Sequence, residues 1–130
     1  MKMEDIQRMH IYESAEDYLE SILMLQEKNG QVRSIDIANE LNFSKPSVSI
    51  AMKKLRENGY IEMDHNNLIT LTEEGMAIAA RIYERHRVLT AMLIHLGVSE
   101  KPARADACRL EHDLSDETWE KLKSHAEKFA

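Results

Sequence analysis

At 130 residues and a net charge of −6, the chain is long enough for a real core and too acidic to bind nucleic acid loosely over its whole surface. Only 5% of it is aromatic and it has one cysteine. The core must therefore be built from Leu, Ile, Ala and Met, an intramolecular disulfide is excluded, and the thiol suits a reducing cytoplasm. No apolar run approaches the roughly 20 residues of a membrane span, and the polar N-terminus does not read as a signal peptide.

Met1 to Tyr12 reads as a short polar lead-in, frayed in part. Ser14, followed three residues later by Asp17, resembles a capping box, after which Tyr18, Leu19, Ile22, Leu23 and Leu25 recur at helical spacing. Asn29-Gly30 supplies the stop. Asp17 and Glu20 sit at i and i+3, so one edge of this helix offers two carboxylates; most such pairs are solvated surface. Ser34 starts a second helix with Ile35, Ala38 and Leu41 as its buried stripe. Asn42-Phe43 makes a short turn, and Ser44 caps a third helix that carries Pro46 in its first turn and ends at Gly59. Val48, Ala51, Met52 and Leu55 form its buried face, while Pro46, Ser47, Ser49, Ile50, Lys53 and Lys54 face outward. Two short helices and a tight turn match the helix-turn-helix pattern, with the second helix as reader. An ordinary helical hairpin would fit this much equally well. The next segment favours the reader, because Tyr60–Met63 and Leu68–Thr72 read as strands flanking an Asp64–Asn67 turn, the wing of a winged helix-turn-helix.

Thr72 caps a long helix from Glu73 to about Leu96, with Gly75 in its first turn. Its apolar residues (Met76, Ala79, Ala80, Ile82, Tyr83, Leu89, Met92 and Leu93) cover more than one narrow stripe, as a dimerisation helix requires. His86 lies in its middle between Arg85 and Arg87; a lone histidine there is more often structural than a ligand. Gly97 breaks this helix, and Ser99 with Pro102 opens another that carries Cys108, Glu111 and His112. If helical throughout, these three fall at i, i+3 and i+4 on one face, where thiol, carboxylate and imidazole suit a divalent metal completed by another segment. The plain reading is a small buried Cys108 beside a solvated Glu111-His112 edge. Leu114-Ser115 breaks the chain again, and Ser115 starts a last amphipathic helix through Trp119, Leu122, His125, Ala126 and Phe129. The boundary is placed at Thr72, giving domains 1–72 and 73–130 of a mainly α fold: a winged helix-turn-helix, then a helical unit.

This order of elements resembles the diphtheria toxin repressor and manganese transport regulator family over nearly the whole chain. The motifs that carry it are Glu16-Asp17-Tyr18-Leu19-Glu20, the reader start Ser44-Lys45-Pro46-Ser47-Val48-Ser49, Arg85-His86, and Cys108-Arg109-Leu110-Glu111-His112 ahead of Leu114-Ser115. The resemblance implies a metal-activated, homodimeric DNA-binding repressor of metal-uptake genes, with a helical metal-binding and dimerisation domain after the wing. It implies metal ligands at Asp17, Glu20, His86, Cys108, Glu111 and His112. Asp17 agrees with the manganese branch and Cys108 with the iron branch, whose second site would need Glu and His where Thr90 and Arg104 stand. One tightly bound metal per subunit is the expectation. The length matches the shorter manganese branch, without the SH3-like third domain of iron-responsive members.

Carboxylates and imidazole suit Mn2+ or Fe2+; a Cys108 thiolate would shift preference towards Zn2+ or Co2+, whereas its backbone carbonyl would keep the site hard. Ligands drawn from the first helix and the later part would tie metal to the spacing of two readers about 34 Å apart on double-stranded operator DNA. On the reader, Ser44, Lys45, Pro46, Ser47, Ser49, Ile50, Lys53 and Lys54 are the expected DNA contacts. The hydroxyls and lysines suit phosphates, and Ile50 suits a thymine methyl. Two other functions compete with a metal-activated repressor. One is a winged-helix regulator that senses an organic ligand; the other is a small metallohydrolase, for which no His-Glu-x-x-His run or nucleophile–base pair is present.

Overall fold

Two positive-φ glycines, Gly30 and Gly59 (both φ 80°), end the helices that frame the first part of the chain. The structure is a computed structural model that describes the backbone of residues 3–129 and the side chains of residues 14–128. Its elements are α1 (Met3–Asn29), α2 (Ser34–Leu41), α3 (Lys45–Glu57), β1 (Ile61–Met63), β2 (Ile69–Leu71), α4 (Glu73–His95), α5 (Glu100–Leu110) and α6 (Asp116–Ala126), with a closing 3-10 turn at Glu127–Phe129. They fall into two compact units, residues 1–80 and 81–130.

In the first unit, Leu19, Ile22, Val32, Ile37, Val48, Met52, Ile61 and Ile69 are all at most 2% exposed. They come from every element before α4. At about 1.5–3 kcal/mol for each fully buried large side chain, this shared core is what fixes the short helices α2 and α3, too short to persist alone. The strands pair antiparallel with Ile61 opposite Leu71 and Met63 opposite Ile69. The Ile69 N–H donates to the Val32 carbonyl at 2.8 Å, adding a rung from the segment before α2. At the hairpin tip the Asp64 carboxylate accepts from Asn66 N–H (2.8 Å) and Leu68 N–H (3.0 Å), and Asn67 takes φ 62°. These bonds, the Leu68 one first, hold the Asp64 carboxyl below the usual carboxylate range, and the nearby charges of His65 and Arg33 add to the effect.

The wing is stitched to α4. Thr72 Oγ1 accepts from Gly75 N–H (3.2 Å) and donates to the Gly59 carbonyl (2.7 Å), while Thr72 N–H donates to the Tyr60 carbonyl (3.1 Å). A Cβ on Gly75 would stand 2.0 Å from the Tyr60 oxygen, so only glycine allows so close an approach.

The second unit packs Leu89, Ala107 and Trp119 together with Val88, Leu93, Leu114 and Leu122 around them. Ala103 and Ala107 are fully buried, small side chains that let α5 lie close against its neighbours. Gly97 (φ 101°) and the Val98 N–H bond to the Leu93 carbonyl end α4. Ser115 caps α6 by accepting from Thr118 N–H at 3.2 Å. Glu84 and Lys123 pair at 2.8 Å across α4 and α6, and this contact pushes the Lys123 ammonium up.

Three sequence expectations change. The helix expected from Ser14 begins at Met3, so Ser14 lies inside α1 and the lead-in is helical from that point; Met1 and Lys2 lie outside the described residues. In α2 the core residues are Ile37 and Ala38, whereas Ile35 is exposed and Leu41 half-buried. A helix of eight residues shows each apolar position only once or twice, so its phase is weakly written. Finally, α5 stops at Leu110, so His112 lies beyond the helix, while Cys108 and Glu111, one turn apart, still bring thiol and carboxylate within 4.8 Å of each other. The Phe129 side chain expected on the last apolar face lies outside the described residues.

Candidate functional site

The reader face is built by one cap. Ser44 Oγ accepts from Ser47 N–H (3.3 Å) and donates its own proton to Ser47 Oγ (2.8 Å). The Ser44 hydroxyl is thus committed to the cap, and Ser47 keeps its proton for an outside acceptor. With no acid in the first turn and Lys54 and Arg56 in the last, α3 offers its positive N-terminal end to an anion. Lys45, Pro46, Ser47, Ser49, Ile50, Lys53 and Lys54 are all exposed, as is Ser44, while Val48, Met52 and Leu55 anchor the opposite side. Ile50 is 59% exposed, a large apolar side chain centred on a face otherwise small or basic. Beside the turn, Phe43 meets Tyr18 edge-on with ring centroids 5.9 Å apart. Burial, and then the Asp17 charge, push the Tyr18 hydroxyl up.

In the second unit a buried carboxylate lies between two imidazoles. Glu111 is the residue after α5; its N–H still donates to the Ala107 carbonyl (2.9 Å), which turns its side chain inward to 0% exposure. Its Oε2 is 3.0 Å from His86 Nδ1, and its Oε1, which makes no hydrogen bond, is 3.5 Å from His112 Nε2. The His86 and His112 side chains are 16% and 6% exposed. A fully buried carboxylate is costly unless paired, and this one has an oxygen with no hydrogen bond and two imidazole nitrogens beside it. Carboxylate oxygen and imidazole nitrogen are the donors Mn2+, Fe2+, Co2+ and Zn2+ take, so this donor set fits a divalent cation.

Cys108, also expected as a ligand, is exposed in the last turn of α5. Asp17 and Glu20 lie one turn apart on α1 in the first unit, Asp17 half-buried and Glu20 6% exposed.

Sequence reasoning passed over Arg85. It is 6% exposed, and its guanidinium reaches the carbonyls of Glu111 (3.4 Å) and Leu114 (3.3 Å) and Asp116 Oδ1 (3.0 Å), with its carbon 5.4 Å from the centroid of the Trp119 ring. The signal was there: Arg85 occupies the Ile82–Leu89 stripe of α4, where an apolar residue belongs.

A winged helix-turn-helix with an exposed basic reader, followed by a helical unit holding a buried carboxylate–imidazole cluster, defines a class: DNA-binding regulators with a separate metal-binding and dimerisation domain. Residues 10–67 match the family of iron dependent repressor N-terminal DNA binding domains, and residues 72–130 the iron dependent repressor metal binding and dimerisation domain. The chain belongs to the iron-dependent repressor family, the group of the diphtheria toxin repressor and the manganese transport regulators. It is 41% identical over 119 residues to an uncharacterised helix-turn-helix transcriptional regulator of Methanocaldococcus jannaschii, covering 90% of this chain and 95% of that one. It is 36% identical over 123 residues to the transcriptional regulator MntR of Escherichia coli O6:H1, covering 95% and 79%. Among solved structures, a manganese-dependent transcriptional repressor in complex with manganese has a TM-score of 0.77 at 31% identity, covering 86% of this chain and 52% of that one. IdeR of T. acidophilum has a TM-score of 0.76 at 25% identity, covering 85% and 52%. The chain thus spans about half the length of these two structures.

Proposed function

We propose that the protein is a homodimeric, metal-activated transcriptional repressor, working in the cytoplasm on the operators of metal-uptake genes and responding to Mn2+ or Fe2+. Glu111 carries this reading: a fully buried carboxylate whose Oε1 makes no hydrogen bond, with His86 and His112 nitrogens 3.0 and 3.5 Å from its oxygens. His86, Glu111 and His112 are the centre of the metal site, with Asp17, Glu20 and Cys108 as its remaining ligands. Residues 1–72 serve DNA and residues 73–130 serve metal and dimerisation. When bound, a divalent cation would supply positive charge beside the buried Glu111 carboxylate.

The reader α3 supplies the DNA contacts. Lys45, Lys53 and Lys54 meet phosphates, and Ser47, whose proton the cap leaves available, donates to one more. Ser44 acts through its backbone and its cap; Pro46 and Ser49 line the groove edge. Ile50, exposed and without polar atoms, meets a thymine methyl in the major groove. Metal and DNA then favour each other's binding by one shared coupling free energy, typically about 1–3 kcal/mol.

The test is DNA binding by the dialysed protein, using a site obtained by in vitro selection, with Mn2+, Fe2+, Co2+ or Zn2+ restored one at a time. Affinity that rises with Mn2+ or Fe2+ and falls on chelation is the expected result. Binding indifferent to every metal would instead leave a winged-helix regulator of another kind.

A further inference from the structure

We propose that Arg85 is the positioning residue of the metal centre. Its guanidinium holds the turn from Glu111 to Leu114 in the conformation that presents the Glu111 carboxylate to His86. The proposal rests on the metal site assigned to His86, Glu111 and His112 and adds what sets its geometry.

The turn needs such a device. Helix α5 stops at Leu110, so the carbonyls beyond it have lost their helical partners, and a helix end leaves such groups to be satisfied elsewhere. Glu111 and Leu114 each give a carbonyl to Arg85, at 3.4 and 3.3 Å, on either side of His112 and Asp113. A third hold, to Asp116 Oδ1 at 3.0 Å, ties the same guanidinium to the first turn of α6, and Trp119 backs it. Arg85 is also the chain neighbour of His86. One buried, planar fork therefore fixes the backbone of Glu111 while its own helix position fixes the imidazole that Glu111 meets at 3.0 Å. A lysine in its place has three donors on a flexible stem and no fork, so it would reach one carbonyl well and not both. Burying a guanidinium costs free energy that packing alone would not require, and apolar Ile82 and Leu89 flank it on the same stripe. Orienting a ligand turn supplies a reason for that cost. Groups that orient metal ligands without touching the metal change affinity by about 10–100-fold when removed.

The sole tryptophan, Trp119, lies against the guanidinium and reports on this turn directly. The experiment titrates Mn2+ into wild type, Arg85→Met, Arg85→Lys and Asp116→Ala, with calorimetry for affinity and Trp119 emission as the local reading. Far-ultraviolet dichroism and dimer mass serve as the check on folding. The expected result is a folded Arg85→Met with Mn2+ affinity down by about 10–100-fold. Arg85→Lys should fall between it and wild type, and Asp116→Ala, which removes only the exposed hold, should lie within about three-fold of wild type. A merely structural arginine would lower stability and leave the affinity of the folded fraction unchanged. A folded Arg85→Met with wild-type affinity overturns the proposal. If that variant does not fold, wild-type affinity in Arg85→Lys overturns it equally. A wild-type protein that binds no Mn2+ would remove the metal reading itself, whereas wild-type binding with indifferent variants removes only the role of Arg85.

Discussion

The reader face of α3 and the Glu111 cluster solve opposite problems. The first is exposed and made of close sequence neighbours: a cap at Ser44, small residues, lysines and one isoleucine within ten residues of it. The second is buried and made of residues far apart in the chain, with His86 meeting Glu111 across 25 positions and Arg85 meeting Asp116 across 31. A surface that is local and solvated can be changed without disturbing what holds it up, because Val48, Met52 and Leu55 lie on the other side. A buried, non-local cluster has no such separation; its polar side chains also fill the interior of the second unit. Function in the first region should be separable from stability, and in the second it should not.

The largest effect should come from Glu111. Glu111→Gln keeps the volume and removes the charge, so Mn2+ affinity should drop by about 100-fold or more and the metal-dependent gain in DNA binding should vanish. Thermal melts of the same variant without metal should also differ from wild type, since a buried carboxyl packed beside two imidazoles has been replaced; identical melts would break the contrast between the two regions. Lys53→Ala comes next. It should weaken binding to every DNA sequence, lower the slope of log affinity against log salt by about one unit per subunit, and leave the melting temperature unchanged. An unchanged slope would show that Lys53 meets no phosphate.

A smaller effect attaches to Ile50. Replacing individual thymines of a selected site by deoxyuridine removes only the C5 methyl. At one or two positions this should cost wild type about 1 kcal/mol, and Ile50→Ala should show no such sensitivity. Equal sensitivity in the two proteins would mean that Ile50 packs against protein and meets no base. The smallest effect belongs to the wing. The Asp64 carboxyl is held below its ordinary value of 3.8, so its contribution to stability is present above that pH and is lost as pH falls through the lowered value. The stability gap between wild type and Asp64→Ala, measured by melts, should therefore be larger at pH 6 than near pH 3.

The same contrast governs how legible each region was in the sequence. Ser44, Pro46 and the alternation around Asp64–Asn67 announce a capped helix and a hairpin through neighbours alone, and both elements stand where they were expected. The α1 start was misplaced because Ser14 resembles a cap, and a cap motif is silent on whether helix continues on its other side. Helical spacing put Cys108, Glu111 and His112 on one face. That holds for Cys108 and Glu111, but α5 ends at Leu110, ahead of His112, with no glycine or proline to mark it. The partners of Arg85 were hidden for a different reason: an arginine between apolar neighbours declares burial, and nothing in the chain nearby says which carbonyls, 26 and 29 residues later, it will bind.

That span also has a kinetic meaning. The cap at Ser44 closes over three residues and the wing turn over four, within reach of the fastest steps in folding. The bonds of Arg85 need the whole of α5 and the first turn of α6 before they can form, and closing so long a loop costs chain entropy before any contact repays it. The Arg85 bonds should then form late, after most of the native surface is buried. If so, losing them would leave the folding rate nearly unchanged and speed unfolding, and Arg85 would set how long the second unit stays folded more than how quickly it gets there.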